Sequence, residues 1–246
     1  MASAVFRFYE ELNDFLPPAR RKRDLRLAFT PPAPVRHLIE TLGVPHTEVE
    51  LILINGESAG LDQRVADGDR VSVYPMFESL DISPLLRIRR RPLREPRFVA
   101  DAHLGKLAHY LRMLGFDTLL ASDCPDRELA AIAAAQHRIL LTRDRALLMR
   151  RIVTHGCYVR ARRPLGQLED IVRRLDLCRC IRPFSRCMRC NGDLEAVAKA
   201  DVEHRLPDDA RRIFSEFWRC AGCGQVYWKG GHYQRMRRLV ERICSH

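Results

Sequence analysis

Three short apolar runs in the middle of the chain each end in an aspartate: Phe98-Val-Ala-Asp101, Thr118-Leu-Leu-Ala-Ser-Asp123 and Ile139-Leu-Leu-Thr-Arg-Asp144. Each is the length of a buried strand, and helical patterning follows each one. That alternation predicts a parallel β/α sheet, in which ligands bind beyond the carboxyl ends of the strands. Strands lying side by side would gather three carboxylates at one edge. Like charges at close range oppose one another's ionisation, so such an edge binds a hard cation or shares protons. A magnesium or manganese site is the expectation.

Every one of these carboxylates has a competing structural role. Asp101 and Asp144 are placed to cap the helices that begin near His103 and at Arg145, and Asp123 precedes a helix opened by Pro125. Asp126 and Glu128 fall in the first turn of that helix, where negative charge suits the dipole. Recurrence at one sheet edge is what favours a cation over capping alone. Such a site would perform phosphodiester hydrolysis through divalent ions, and magnesium needs only one or two carboxylates. Lys106, Arg143 and Arg160 are the cations placed to position phosphates.

The chain has 246 residues and a net charge of +11, unevenly spread. Residues 1–82 carry nine Lys/Arg against thirteen Asp/Glu, a net −4; residues 83–246 carry thirty-three against eighteen, a net +15. A change of that size predicts separate modules, the second meeting a polyanion such as RNA. No stretch approaches the roughly 20 apolar residues of a membrane span. Met1 to Asp14 lacks the basic start and apolar run of a signal peptide, so a cytoplasmic location is expected.

At the N-terminus, Val5-Phe-Arg-Phe-Tyr and Leu25-Arg-Leu-Ala-Phe alternate as two half-buried strands. A helix from Pro34 to Gly43 follows, apolar at Val35, Leu38, Ile39 and Leu42, then strands at Glu50–Asn55 and Arg70–Tyr74. With its Ile54-Asn-Gly-Glu57 turn and the Val65-Ala-Asp-Gly-Asp-Arg-Val71 approach, this unit resembles the β-grasp of ubiquitin and the small sulfur-carrier proteins. Those carriers end in a free Gly-Gly; here the strand continues into Pro75-Met-Phe-Glu-Ser. A docking module for a protein partner is therefore expected, and carrier chemistry is disfavoured. A basic linker follows, with Arg87, Arg89, Arg90, Arg91, Arg94 and Arg97 interrupted by prolines. It reads equally as a solvated hinge or a phosphate-contacting strap.

Nine cysteines in a cytoplasmic setting argue for metal or free thiols. Cys187-Met-Arg-Cys190 and Cys220-Ala-Gly-Cys223 are two Cys-x-x-Cys knuckles able to close a four-thiolate shell around structural zinc. Twenty-nine residues separate the pairs, more than the usual gap of about 15–20, and Ala200 to Trp218 is a helical excursion within it. Cys178 and Cys180 are a weak second candidate; Cys124, Cys157 and Cys244 read as plain thiols. Trp218, Tyr227, Trp228, His232 and Tyr233 lie among Lys229, Arg235, Arg237 and Arg238. Such mixtures stack bases and hold single strands, or form a small core. We expect core for the tryptophans and nucleic acid for the arginines.

The blocks Phe98-Val-Ala-Asp-Ala-His-Leu-Gly-Lys-Leu-Ala-His-Tyr-Leu-Arg-Met-Leu-Gly-Phe-Asp117, Ile139–Asp144, Pro183-Phe-Ser-Arg-Cys187 and Phe217-Trp-Arg-Cys220 resemble the Mut-7 C-terminal RNase domain family. The resemblance implies a PIN-like ribonuclease module fused to a zinc ribbon, with a ubiquitin-like domain in front. It implies single-stranded RNA as substrate and acidic residues at the strand ends, matched best by Asp101 and Asp144 and less strictly by Asp123, Asp126 and Glu128. The expected architecture is α/β: a ubiquitin-like β-grasp domain (1–82), a basic linker (83–97), a PIN-like parallel β/α domain (98–180), and a zinc ribbon with a basic tail (181–246). The expected function is a magnesium- or manganese-dependent ribonuclease. Its site residues are Asp101, Asp123, Glu128 and Asp144, with Lys106, Arg143, Arg160 and Arg235 on RNA and Cys187, Cys190, Cys220 and Cys223 on zinc. The rival is a non-catalytic RNA-binding adaptor in which the carboxylates are only caps.

Overall fold

The structure is a computed structural model and describes residues 1–75 and 96–244. The expected strap arginines Arg87, Arg89, Arg90, Arg91 and Arg94 lie outside the described residues. The chain forms two compact units, Met1–Arg94 with Asp126–Tyr158, and Glu95–Pro125 with Val159–His246.

The first segment is a β-grasp. It comprises β1 (Ala2–Phe8), β2 (Leu25–Phe29), β3 (Ala33–Pro34), α1 (Val35–Thr41), β4 (Leu51–Ile54), β5 (Glu57–Ser58), β6 (Arg64–Val65) and β7 (Arg70–Tyr74). Five strands form one mixed sheet in the order β2-β1-β7-β4-β5, with β1 antiparallel to β2 and parallel to β7. The period of two along β1 drives Ala2, Ala4, Phe6 and Phe8 into the core. They meet Val35, Leu38 and Ile39, the apolar stripe of α1. Burying each phenylalanine contributes about 1.5–3 kcal/mol.

Residues 98–174 alternate strand and helix: β8 (Phe98–Asp101), α2 (Gly105–Met113), β9 (Thr118–Ala121), α3 (Asp126–Ala135), β10 (Ile139–Thr142), α4 (Arg145–Leu148), β11 (Gly156–Tyr158) and α5 (Pro164–Arg174). In one unit β8 and β9 pair in parallel, with Asp101 opposite Ala121; in the other β10 and β11 do so, with Thr142 opposite Tyr158. Leu104, Leu107, Ala108, Leu111 and Leu114 are all buried, as their helical spacing requires. From the sequence, Tyr158-Val-Arg160 reads as the fourth strand and Arg145 to Arg151 as a short helix. The strand instead starts at Gly156, because Gly156 and Cys157 pair with Leu140 and Leu141 although glycine is a poor strand signal. The helix stops at Leu148.

The C-terminal segment holds β12 (Leu194–Val197), α6 (Asp208–Ile213), β13 (Phe217–Cys220), β14 (Val226–Trp228) and α7 (Gly231–Cys244). The three strands form an antiparallel sheet in that order. The long insertion between the cysteine pairs is helical, as expected. It packs Val202, Leu206 and Ala210 against Phe217 and Val226 as a small core of its own.

Within the first unit, the β-grasp is fastened to the β10–β11 segment. His46 is buried, with Nε2 at 2.9 Å from the Val153 carbonyl and Nδ1 at 2.6 Å from the Glu40 carboxylate. Glu48 Oε1 accepts the backbone N–H of Tyr158. Arg145 donates to the Phe15 carbonyl at 3.0 Å and lies over the rings of Phe15 and Tyr158 at 5.1 and 5.6 Å. Buried polar groups are costly unless paired, so these bonds define which surfaces meet.

Candidate metal centre and acidic strand ends

Four sulfurs converge in the second unit. The Sγ atoms of Cys187, Cys190, Cys220 and Cys223 all lie within 4.8 Å of one another, with Cys187 and Cys223 3.6 Å apart and Cys190 and Cys220 3.4 Å apart. Zinc at about 2.3 Å from each of four tetrahedral thiolates sets sulfurs about 3.8 Å apart, so the arrangement fits a metal such as zinc. Turn geometry makes it possible. Asn191 takes φ +73° just after the first knuckle, Cys187 N donates to the Gly192 carbonyl, and Gly224 takes φ +70° after the second.

The surroundings favour thiolate at Cys187, whereas burial pushes the Cys220 thiol up. Burial pushes the Cys187 thiol up as well. The Tyr227 hydroxyl at 3.1 Å, the backbone N–H groups of Cys190 and Arg189, and Cys223 outweigh it and hold Cys187 at about 6. Burial, followed by the bond to Cys187, pushes Tyr227 up, so its hydroxyl keeps the proton it donates. A buried guanidinium supports the knuckle from behind. Arg112 donates Nε to the Thr118 carbonyl at 2.9 Å and Nη1 to the carbonyls of Met188 and Arg189 at 3.2 and 3.0 Å. Burial lowers its pKa, and the negative charge of Cys190, Cys187 and Asp117 opposes that shift.

Asn191 completes the seam. Its Oδ1 accepts the Thr118 N–H at 2.9 Å and its Nδ2 donates to Asp117 at 2.7 Å. At Gly115, φ is +94° and a Cβ would fall 2.1 Å from the Arg182 carbonyl, so only glycine lets the two chain segments meet here. The knuckle is thus bolted to the end of α2 and the start of β9. Sequence reasoning missed Arg112 and Tyr227 as supports. The signal for Arg112 was present: it sits four residues after Ala108, on a helical stripe otherwise apolar.

The carboxylates are distributed over both units. In the second, half-buried Asp101 ends β8, and exposed Asp123 lies two residues beyond Ala121, its partner on the neighbouring strand. Asp101 makes no side-chain cap bond to the 3-10 turn that follows it. In the first unit, Asp144 follows β10 and caps α4, its Oδ1 accepting from Ala146 N at 2.8 Å. Asp126 and Glu128 occupy the first turn of α3, with Asp126 3.9 Å from Arg150. Capping therefore accounts for one oxygen of Asp144. Among the cations, Lys106, Arg143 and Arg235 are exposed and Arg160 is half-buried. Cys178 and Cys180 are exposed and Cys157 is buried, none of them in a disulfide.

A ubiquitin-like β-grasp, a parallel α/β region and a four-cysteine cluster compatible with a zinc ribbon together make a modular chain. The model of the Mut7-C RNAse domain matches residues 96–240, and the model of the Mut7-C ubiquitin domain matches residues 1–81. The chain belongs to the Mut7-C RNAse domain family. Among solved structures, the small archaeal modifier protein 1 of Haloferax volcanii is 20% identical, with 31% of this chain and 100% of that one covered and a TM-score of 0.26. A molybdopterin converting factor subunit 1 from Pyrococcus furiosus is 18% identical with the same coverage and TM-score. No curated protein matches the chain. Among the described residues, no helix is long and apolar enough to cross a membrane.

Proposed function

We propose that the protein is a metal-dependent ribonuclease that hydrolyses single-stranded RNA. The observation that carries this reading is the placement of Asp101 at the carboxyl end of a parallel strand. Asp144 contributes from the end of β10, helped by Asp123 or Glu128. Magnesium or manganese, when bound, supplies Lewis-acid polarisation of the phosphodiester and lowers the pKa of the attacking water. The carboxylates hold and orient; exposed Lys106 and Arg143, half-buried Arg160 and exposed Arg235 draw the phosphate backbone toward a module whose sequence is strongly basic. Zinc in the four-cysteine shell is structural, because four thiolates leave no open position for chemistry. The β-grasp domain serves protein contact, and the segments 1–82, 83–97, 98–180 and 181–246 are the functional modules.

The cap bond of Asp144 favours a second reading, an RNA-binding adaptor without catalysis. Asparagine caps as well as aspartate, so Asp144→Asn keeps α4 while weakening a cation site. We expect manganese-dependent cleavage of labelled single-stranded RNA by the wild type and its loss in both Asp101→Asn and Asp144→Asn, with zinc content unchanged. Full cleavage by both variants would exclude this acidic site. RNA binding without cleavage by any of the three would favour the adaptor.

A further inference from the structure

A cleft of about 230 Å³ opens beside the four-cysteine centre, between the ribbon sheet and α7. Trp218 and Tyr227, cross-strand partners on one face of the sheet, line it, as do Phe184 and Tyr233, whose rings lie 4.6 Å apart; Trp228, on the opposite face with Phe217, borders it. Arg186 and Lys229 also line it, with the Lys229 ammonium 5.1 Å from the Trp218 ring centre. The tryptophans were expected in a core; Trp228 does pack on the small ribbon core, whereas Trp218 is half-buried beside the cleft. The volume lies below the roughly 300–1,000 Å³ of sites that enclose drug-sized ligands. It suits one flat group.

We propose that this cleft takes a single unpaired base of RNA, stacked against the aromatic walls with its flanking phosphates on Arg186, Lys229 and Arg237. This deepens the RNA-directed reading given above and rests on it. Lys229 and Arg237 are exposed and held by solvent-exposed carboxylates, Glu216 at 2.7 Å and Glu241 at 2.9 Å. Exposed ion pairs contribute little in water, so phosphates displace these partners at small cost. Arg186 is less exposed and is fixed in place by Asp193 at 3.4 Å and by its bond to the Asn191 carbonyl at 2.9 Å. Arg237 lies one turn beyond Tyr233 on the same face of α7. Arg235, two residues from Tyr233, points about 160° away around the helix, so it serves a different stretch of backbone from the cleft.

An apolar protein side chain is disfavoured as occupant because the cations border the aromatic walls and because residues 83–246 carry a net +15. Aromatic faces interleaved with cations accept bases with little sequence preference. Duplex RNA offers no splayed base, so the site selects single strands. The metal centre builds one end of the cleft, since Met188 lies between two ligands and Tyr227 touches Cys187.

The chain has two tryptophans and both line this cleft, so intrinsic fluorescence reads it without a label. Oligouridine is titrated into the full-length protein without added magnesium or manganese, beside a duplex of equal length. Saturable quenching by the single strand and none by the duplex is expected. Loss of a stacking partner in Tyr233→Ala weakens the single strand about tenfold, whereas Tyr233→Phe retains it. Exposed Lys229→Gln provides a second variant whose fold is not at stake, and weakens binding more at low salt than at high salt. RNA bound in a filter assay with tryptophan emission unchanged would overturn the proposal, as would equal affinity in Lys229→Gln and wild type. Quenching by an apolar peptide in place of RNA would assign the cleft to a protein partner and overturn it too. Quenching without any cleavage in the manganese assay leaves the cleft standing and removes the nuclease; cleavage without quenching does the reverse.

Discussion

Arg112 shows how much one side chain can hold. It supplies three hydrogen bonds to carbonyls of β9 and of the first cysteine knuckle, in a setting with little access to water. Replacement by leucine leaves those acceptors buried and unpaired, a loss of roughly 3 kcal/mol. We expect Arg112→Leu to lower the melting temperature and to release zinc faster to a chelator, with Arg112→Lys recovering only part because an ammonium cannot reproduce the planar fork. Differential scanning fluorimetry with a zinc-sensitive dye measures both. At this scale the sequence was partly legible. The four cysteines were evident from their spacing, since Cys-x-x-Cys fixes two ligands on one turn. Tyr227 was not, because nothing local announces that a strand residue will meet the sulfur of Cys187 forty positions earlier.

Among elements, the ribbon stands apart in what stabilises it. Its core beyond the metal shell is small, centred on Val202, Leu206, Ala210, Phe217 and Val226, and structural zinc contributes on the order of 10–16 kcal/mol to such folds. Protons compete for the thiolates. Without metal Cys187 is held down at about 6, so its thiolate is ready to bind at neutral pH; protons then compete with the metal increasingly as pH falls. Zinc retention followed between pH 8 and 4.5 should therefore fail on the acid side, with the tryptophan emission shifting in the same range. Strands and helices of the α/β region were readable because each carries its own period. Strand β11 was misplaced by two residues since its pairing with β10, a tertiary matter, recruits Gly156 against local preference. The acidic positions were legible as strand ends, but whether each one caps could be decided only by geometry: Asp144 does and Asp101 does not.

For the molecule as a whole, the first unit joins segments far apart in sequence. Glu48 accepts from Tyr158, His46 meets Val153, and Tyr158 packs on the β-grasp core. These contacts make residues 126–158 depend on the N-terminal domain for their surroundings. Glu48→Ala should lower amide-exchange protection at Tyr158 and along β11, 110 residues away, by about 1–3 kcal/mol. Protection in β13 and β14, which belong to the other unit, should stay unchanged. Hydrogen exchange read by mass spectrometry tests this; equal loss in both units would mean they unfold as one.

The sequence alone determined the β-grasp, the parallel β/α alternation, the cysteine shell and the basic character of the C-terminal two thirds, because apolar period, turn chemistry and ligand spacing are local properties. Tertiary structure decided what no local pattern encodes. It placed residues 126–158 in the unit of the N-terminal domain. It set Arg112 and Tyr227 around the thiolates, and it left Trp218 lining a cleft where a core was expected. Each of these depends on which surfaces meet after folding, and that follows from the burial and pairing of groups distant in the chain.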